Sequence, residues 1–232
     1  MMKRLISWMM LCTALSANTS CSYGAATYQQ TVMQNPAAPA EAKERSVCRT
    51  IREEDAWKLV LVNSTHPLGA FTPPELVTLR NGVQVDARIY PALQEMFDEM
   101  RRTGLSPIAG EGFRTYETQK SMLNDRIKGY RTQGYSYVEA YVLAREYVAE
   151  PGTSEHQLGI AVDINAERGD NWGVYDWLAA HAHEFGFVLR YPQGSEAITG
   201  YAYEPWHYRY VGREAAAEMH RDSLTLEEYL GE

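Results

Sequence analysis

A break at Pro151-Gly152 divides this chain into a helical stretch and a stretch of short strands, and that change of period limits the fold more than any other feature. Upstream, Ile89, Leu93, Met96, Phe97 and Met100 recur at helical spacing and stop at Gly104, so an amphipathic helix is expected over residues 88–103. Thr115 stands where its hydroxyl can cap a second helix running toward Lys128. Ser136 with Glu139 forms a capping box for a third, in which Val138, Tyr141, Val142 and Val148 are expected to face inward. Downstream, residues 158–164, 186–191 and 206–211 read as strands, with a helix carrying Val174, Trp177, Leu178 and Phe185 among them. A last helical segment starts near Arg213, with a capping box at Thr225 and Glu228. Helices first and strands later predict an α+β fold, a small, mostly antiparallel sheet covered by helices.

The 232 residues suffice for one well-cored domain and a short processed or tethering segment. Met1-Met2-Lys3-Arg4 precedes an apolar run from Leu5 to Ala17 and then small polar residues, so residues 1–21 read as an export signal. The run is about 13 residues long, short of the ~20 that a spanning helix needs. Cys21 follows Asn18-Thr19-Ser20 and is a candidate for lipid attachment, although the apolar residue usual three places upstream is missing. Residues 22–56, rich in Ala, Gln, Pro and Thr, read as a flexible spacer, and the folded domain is expected over 57–232. Leu59-Val60-Leu61-Val62, closed by Asn63 and followed by Pro67 and Pro73-Pro74, is expected as a short strand entering a long loop. A net charge of −8 leaves no basic stripe for phosphates, which argues against nucleic acid or an anionic membrane as partner. Cys12 would leave with the signal, so Cys21 and Cys48 make no disulfide framework. A monomer is expected.

Chemistry concentrates in two segments, Ser154-Glu155-His156-Gln157-Leu158-Gly159-Ile160-Ala161-Val162-Asp163 and Glu204-Pro205-Trp206-His207. Together they hold two imidazoles and two carboxylates beside the further Glu155. A catalytic zinc needs three protein ligands, an open fourth position and a nearby carboxylate that is not a ligand. The inventory matches that need. On a strand, Asp163 would share its face with Ala161 and Gly159, whose small side chains leave room above the sheet. Pro205 cannot donate to a sheet ladder, which puts Glu204 on the loop side and His207 on the strand, so that one can ligate while the other reaches a bound water.

The order Ser-x-His-x-x-Gly-x-Ala-x-Asp followed by Glu-x-Trp-His resembles the zinc D-alanyl-D-alanine carboxypeptidases related to the vancomycin-resistance carboxypeptidase. The likeness extends to residues 61–68 and to Gly112-Phe113-Arg114-Thr115-x-x-x-Gln119, and so covers residues 57–212. It implies a zinc site on the sheet, with one ion per chain held by His156, Asp163 and His207. It also implies Glu204 as general base, Arg114 on the substrate carbonyl or carboxylate, and Ser154, Gln119 and Thr115 beside the substrate. The family more often has Gly-Tyr-Arg-Ser where this chain has Gly-Phe-Arg-Thr. The resemblance further implies an enzyme of the cell envelope or exterior that removes C-terminal D-alanine from peptidoglycan stem peptides. An L,D-carboxypeptidase, a D,D-dipeptidase, an endopeptidase and a catalytically silent wall-binding metal domain remain open, and the intact Glu204 argues against the last.

Overall fold

The computed structural model of the protein describes residues 51–69 and 71–232; the export signal, Cys21, Cys48 and most of the proposed spacer lie outside the described residues. A 3-10 helix, Glu53–Lys58, leads into a two-stranded hairpin of β1 (Leu76–Thr78) and β2 (Gln84–Asp86). There follow α1 (Tyr90–Arg102), β3 (Pro107–Glu111), α2 (Tyr116–Thr132) and α3 (Tyr137–Arg145). A 3-10 turn, Glu155–Leu158, opens the second half, followed by β4 (Ala161–Ala166), α4 (Trp172–His181) and a further 3-10 turn, Ala182–Phe185. The chain ends with β5 (Phe187–Leu189), α5 (Glu196–Thr199), β6 (His207–Tyr210), α6 (Arg213–Asp222) and α7 (Leu226–Leu230). Strands β3, β4, β6 and β5 form, in that order, one antiparallel sheet. The expected α+β fold, with a small antiparallel sheet and helices against it, is the one observed.

Period-two alternation divides the sheet into two faces. Val162 and Ile164 of β4, Phe187 of β5 and Tyr208 of β6 enter the main core with Leu93, Met96, Phe97 and Met100 of α1 and Val174 and Leu178 of α4. Val188 of β5 turns the other way, into a second cluster with Ala215, Ala216 and Met219 of α6 and Leu226 and Tyr229 of α7. Asp163 and His207, one residue out of phase with Val162 and Tyr208, therefore point away from the main core. They are directly paired across β4 and β6.

Three caps stand where the sequence places them. Thr115 accepts from the Thr118 amide, and the Ser136/Glu139 and Thr225/Glu228 boxes are both closed. Other expectations need correction. Residues 59–62 form no strand; their place is fixed by the Arg209 guanidinium, which donates to the carbonyls of Lys58 and Val60 at 2.9 Å. The proposed spacer's last residues, from Glu53, already lie in the first 3-10 helix. The strand expected from Leu158 begins only at Ala161, because Gly159 takes a left-handed conformation (φ 73°) that ends the 3-10 turn. Gly159 is therefore no spacer on the strand; a side chain there would meet Pro73 and the Asp86 amide.

Of the residues expected to face inward near helix α3, Tyr141 and Val148 pack against the cluster with α2, and Val138 and Val142 do not. Val138 and Val142 are 70% and 56% exposed, and Ala140 and Ala144 are the residues buried against Leu123 and Ile127 of α2. Close approach of the two helices needs alanine, and the larger β-branched residues are left outside. Val138→Ser is expected to leave stability unchanged within about 0.5 kcal/mol, whereas Ala140→Leu lowers it by about 1–3 kcal/mol, as read from urea unfolding.

Candidate metal centre

His156 lies on the 3-10 turn Glu155–Leu158, Asp163 on β4, and His207 is the first residue of β6. Their ligand atoms all fall within 4.8 Å of one another. His156 Nε2 is 3.4 Å and His207 Nδ1 3.0 Å from Asp163 Oδ1. Neither approach is aligned as a hydrogen bond, so Asp163 Oδ1 is buried without a partner. Orphaned buried oxygen is costly unless something cationic sits against it. Two imidazoles and one carboxylate on three sides of a small space are the donor set of a tetrahedral metal site with one position open, and the residues fit a metal ion.

Each ligand is aimed by the backbone around it. His156 Nδ1 lies 2.8 Å from the Gly112 carbonyl, which makes it the protonated nitrogen and leaves Nε2 free toward Asp163. Gly112 is held by the hairpin, since the next amide, Phe113, donates to Gln84 O at 2.6 Å. The same hairpin holds the turn of His156, through Asp86 N donating to Gly159 O at 2.8 Å. His207 is held by the β4 ladder and by Tyr191, whose ring centroid lies 4.9 Å from the imidazole. Burial disfavours the Asp163 charge, but the His156 and His207 imidazoles outweigh it and hold its carboxyl far below the usual carboxylate range. Burial also opposes protonation of His207, and here Asp163 and Glu155 prevail and push it up to about 9.

Glu204 sits one Pro-Trp step before β6, buried, with Oε2 3.8 Å from His207 Nδ1. Burial pushes its carboxyl up to about 7, with opposing pulls from His207 and Arg114 and a further push from Asp163. A carboxylate beside the ligand cage with an affinity for protons near neutrality suits a general base. The bulge of β3 between Ala109 and Glu111 sets Glu111 opposite Asp163. Arg114 N donates to His156 O at 3.1 Å, Nη1 donates to Gln119 Oε1 at 2.7 Å, and Nη2 lies 3.4 Å from Glu111. Its Nε is buried and without a partner.

The structure thus brings together His156, Asp163, His207, Glu204 and Arg114. Gln119 is buried, with its oxygen on Arg114 and its nitrogen on Ala149 O at 2.7 Å, so it orients the arginine. Thr115 is exposed at the start of α2 and its hydroxyl serves the cap. Ser154 is buried immediately before the His156 turn. His66 bonds within its own loop, to Asn63 and Thr65.

Glu155, Arg190 and Arg209 have no role in the sequence motifs. All three side chains are 0% exposed and interlocked behind His207. The available signal was a guanidinium inside otherwise apolar strand patterns, Phe187-Val188-Leu189-Arg190 and Tyr208-Arg209-Tyr210; such a charge must find a buried partner.

Residues 82–213 match the family model described as "VanY: D-alanyl-D-alanine carboxypeptidase". The chain belongs to this family. It is 45% identical over 196 residues to a D-alanyl-D-alanine carboxypeptidase of Enterococcus faecalis, covering 82% of this chain and 73% of that protein. Among solved structures it resembles a zinc complex of a variant vancomycin-resistance D,D-pentapeptidase VanY from a VanB-type cassette, at 46% identity and a TM-score of 0.72, covering 75% of this chain and 99% of that one. It also resembles VanYB in complex with D-alanine-D-alanine, at 46% identity and a TM-score of 0.73, covering 75% and 98%. The VanY-family chain is accordingly a hydrolase of peptide bonds.

A Cβ at Gly112 would lie 2.2 Å from the Gln84 carbonyl oxygen, a backbone atom that cannot swing aside. Gly112→Ala is expected to cost about 3 kcal/mol of stability and, by displacing the acceptor of His156, to weaken metal binding about tenfold. Thermal unfolding and a metal-chelator competition measure the two losses.

Proposed function

We propose that the protein removes the C-terminal D-alanine from peptidoglycan stem peptides ending in D-alanyl-D-alanine, with one zinc ion held by His156, Asp163 and His207. The observation that carries this reading is the geometry of Glu204, a proton-hungry carboxylate 3.8 Å from a ligand imidazole without itself completing the three-ligand set. The related enzyme crystallised with Zn(II), and another structure of this kind holds D-alanine-D-alanine, which supports both metal and substrate class. Zinc, when bound, supplies Lewis-acid chemistry, acidifying water and polarising the carbonyl under attack. Glu204 takes the proton of the attacking water and returns it to the amine of the departing D-alanine. Arg114, steadied by Gln119 and Glu111, offers its unpartnered Nε and its remaining N–H groups to the substrate carbonyl or carboxylate. Ser154 and Thr115 border the approach to these groups.

Residues 1–21 serve as an export signal in this reading, with the residues between it and the 3-10 helix Glu53–Lys58 as a spacer and the substrate met outside the cytoplasm. Among the described residues no helix is long and apolar enough to cross a membrane. The protein acts as a monomer.

The test incubates the purified protein, with and without a zinc chelator, with stems ending in D-Ala-D-Ala and with stems ending in a single D-Ala, and follows released D-alanine. Chelator-sensitive release from the longer stem alone is expected; release from the shorter stem alone makes the protein an L,D-carboxypeptidase, and release from neither makes it an endopeptidase or a silent domain. Glu204→Gln is expected to lower kcat by about 10²–10⁴-fold while zinc stays bound; loss of zinc in that variant would make Glu204 a ligand. Because Glu204 must be ionised to accept a proton, kcat/KM should fall as pH drops through its folded value. That value is about 7 from burial and is lowered by a neighbouring dication, so the acid limb lies at or below pH 7 and disappears in Glu204→Gln.

A further inference from the structure

Behind His207, on the side away from Asp163, lies a chain of four buried charges. Glu155 Oε1 accepts from Arg190 Nε and from Arg209 Nη1, both at 2.8 Å. Arg190 continues into a bidentate pair with Glu227 of α7, at 2.8 and 2.6 Å. Arg209 continues to the carbonyls of Lys58 and Val60. Arg190, Arg209 and Glu155 are 0% exposed and Glu227 6% by side chain, and the two positive and two negative charges cancel.

One oxygen of this chain is left over. Glu155 Oε2 is buried and has no partner, and the same is true of His207 Nε2; the two atoms face each other at 3.6 Å. That separation exceeds a hydrogen bond, for which about 2.7–3.2 Å is usual. It is nevertheless the nearest carboxylate oxygen to that nitrogen. His207 turns Nδ1 toward Asp163 and the ligand cage. A neutral imidazole that donates its Nδ1 lone pair to a metal carries its proton on Nε2, and that proton needs an acceptor in a place water does not reach. Strand geometry explains why the parts coincide. His207 and Arg209 are two residues apart on β6 and so share a face, while Arg190 follows β5, the neighbour of β6, and Glu155 starts the turn that carries His156.

We propose that Glu155 is a positioning residue for the metal ligand His207, accepting its Nε2 proton, and that Arg190, Arg209 and Glu227 hold Glu155 in place, so that metal affinity depends on the C-terminal helix α7. The inference rests on the metal assignment above and goes beyond it. Glu155 stands behind the ligand cage, facing His207 Nε2 and not the Nδ1 side turned toward Asp163. An amide in its place keeps one oxygen, which the two arginines hold, and turns a donor toward His207; it also leaves the two arginines opposed by Glu227 alone, with the excess positive charge next to a ligand of a cation. Loss of the Glu227 charge acts in the same direction from a greater distance, because both guanidiniums then converge on Glu155 alone.

The experiment measures zinc affinity of the full chain by chelator competition, together with the visible spectrum of the cobalt(II)-substituted protein and the melting temperature of the metal-free protein. Wild-type binding at one ion per chain tests the metal reading; if it fails, that reading falls, and the variants address only the present proposal. Glu155→Gln is expected to bind zinc about 10–100-fold more weakly and to change the cobalt spectrum. Glu227→Gln, which alters no residue in contact with the ligands, is expected to weaken zinc binding about threefold or more. A lower melting temperature with wild-type zinc affinity and an unchanged cobalt spectrum in Glu155→Gln would reduce the chain to a structural role and overturn the proposal. If Glu155→Gln does not fold, unchanged affinity in Glu227→Gln overturns it instead.

Discussion

The pairing of β4 with β6 is the constraint on which the site depends. Asp163 and His207 are direct cross-strand partners, so a single ladder fixes two of the three ligands side by side, both on the face turned from the main core. A slip of either strand by one residue would send its own ligand into the apolar layer beneath α1 and α4. The core therefore protects the site: Val162, Ile164 and Tyr208 keep the register because they cannot be moved to the other face without exposing them. The third ligand comes from a turn, and turns are less rigid than ladders. The hairpin of β1 and β2 supplies the missing restraint, gripping Gly112–Phe113 at Gln84 and Gly159 at Asp86, on both sides of His156.

Charge in the interior is arranged around the same point. Isolated, Arg190 or Arg209 would be intolerable at zero exposure. Joined to Glu155 and Glu227 they become a neutral set with most of their hydrogen bonds made. Apolar residues of similar size would serve stability at least as well. What an apolar replacement would not provide is a fixed carboxylate oxygen behind a ligand imidazole, and that specific placement gives the buried ions a reason to be there.

Much of this was legible in the residues themselves, and the failures have physical causes. The ligands and Glu204 stood out because His-x6-Asp and Glu-x2-His combine rare chemistry with small spacers, and the three capping residues stood out because local hydrogen bonding suffices to place them. Helix α3 was read only in part because its outward face carries Val138 and Val142, and hydrophobicity alone does not tell a face that approaches another helix closely from one that does not. The hairpin went unrecognised although Asn81-Gly82 is a strong turn signal, since its strands are only three residues long. Residues 59–62 read as a strand because their apolar content is real; Leu59 and Val62 are buried, but an arginine from β6 takes the carbonyls a neighbouring strand would have taken. The Glu155 chain was invisible for another reason: its hydrogen-bonded partners lie 35 to 54 residues apart, and only tertiary contact makes them one object.

Polar satisfaction separates the working part of the molecule from its scaffold. Among the described residues, seven buried side-chain N and O atoms lack a hydrogen-bond partner, and four of them, on Arg114, Glu155, Asp163 and His207, belong to the metal centre and its support. The other three lie on Gln157, His183 and Tyr208, whereas buried polar groups are ordinarily paired. A cation against Asp163 and a substrate against Arg114 would relieve two of these orphans, while Glu155 Oε2 and His207 Nε2 face each other. The same property makes folding and metal binding interdependent: whatever stabilises the cage with its ion also stabilises the sheet that carries it. The ladder between β4 and β6 holds Asp163 and His207 side by side, with Nδ1 and Oδ1 3.0 Å apart but not aligned as a hydrogen bond, and so leaves the Asp163 oxygen open to a cation.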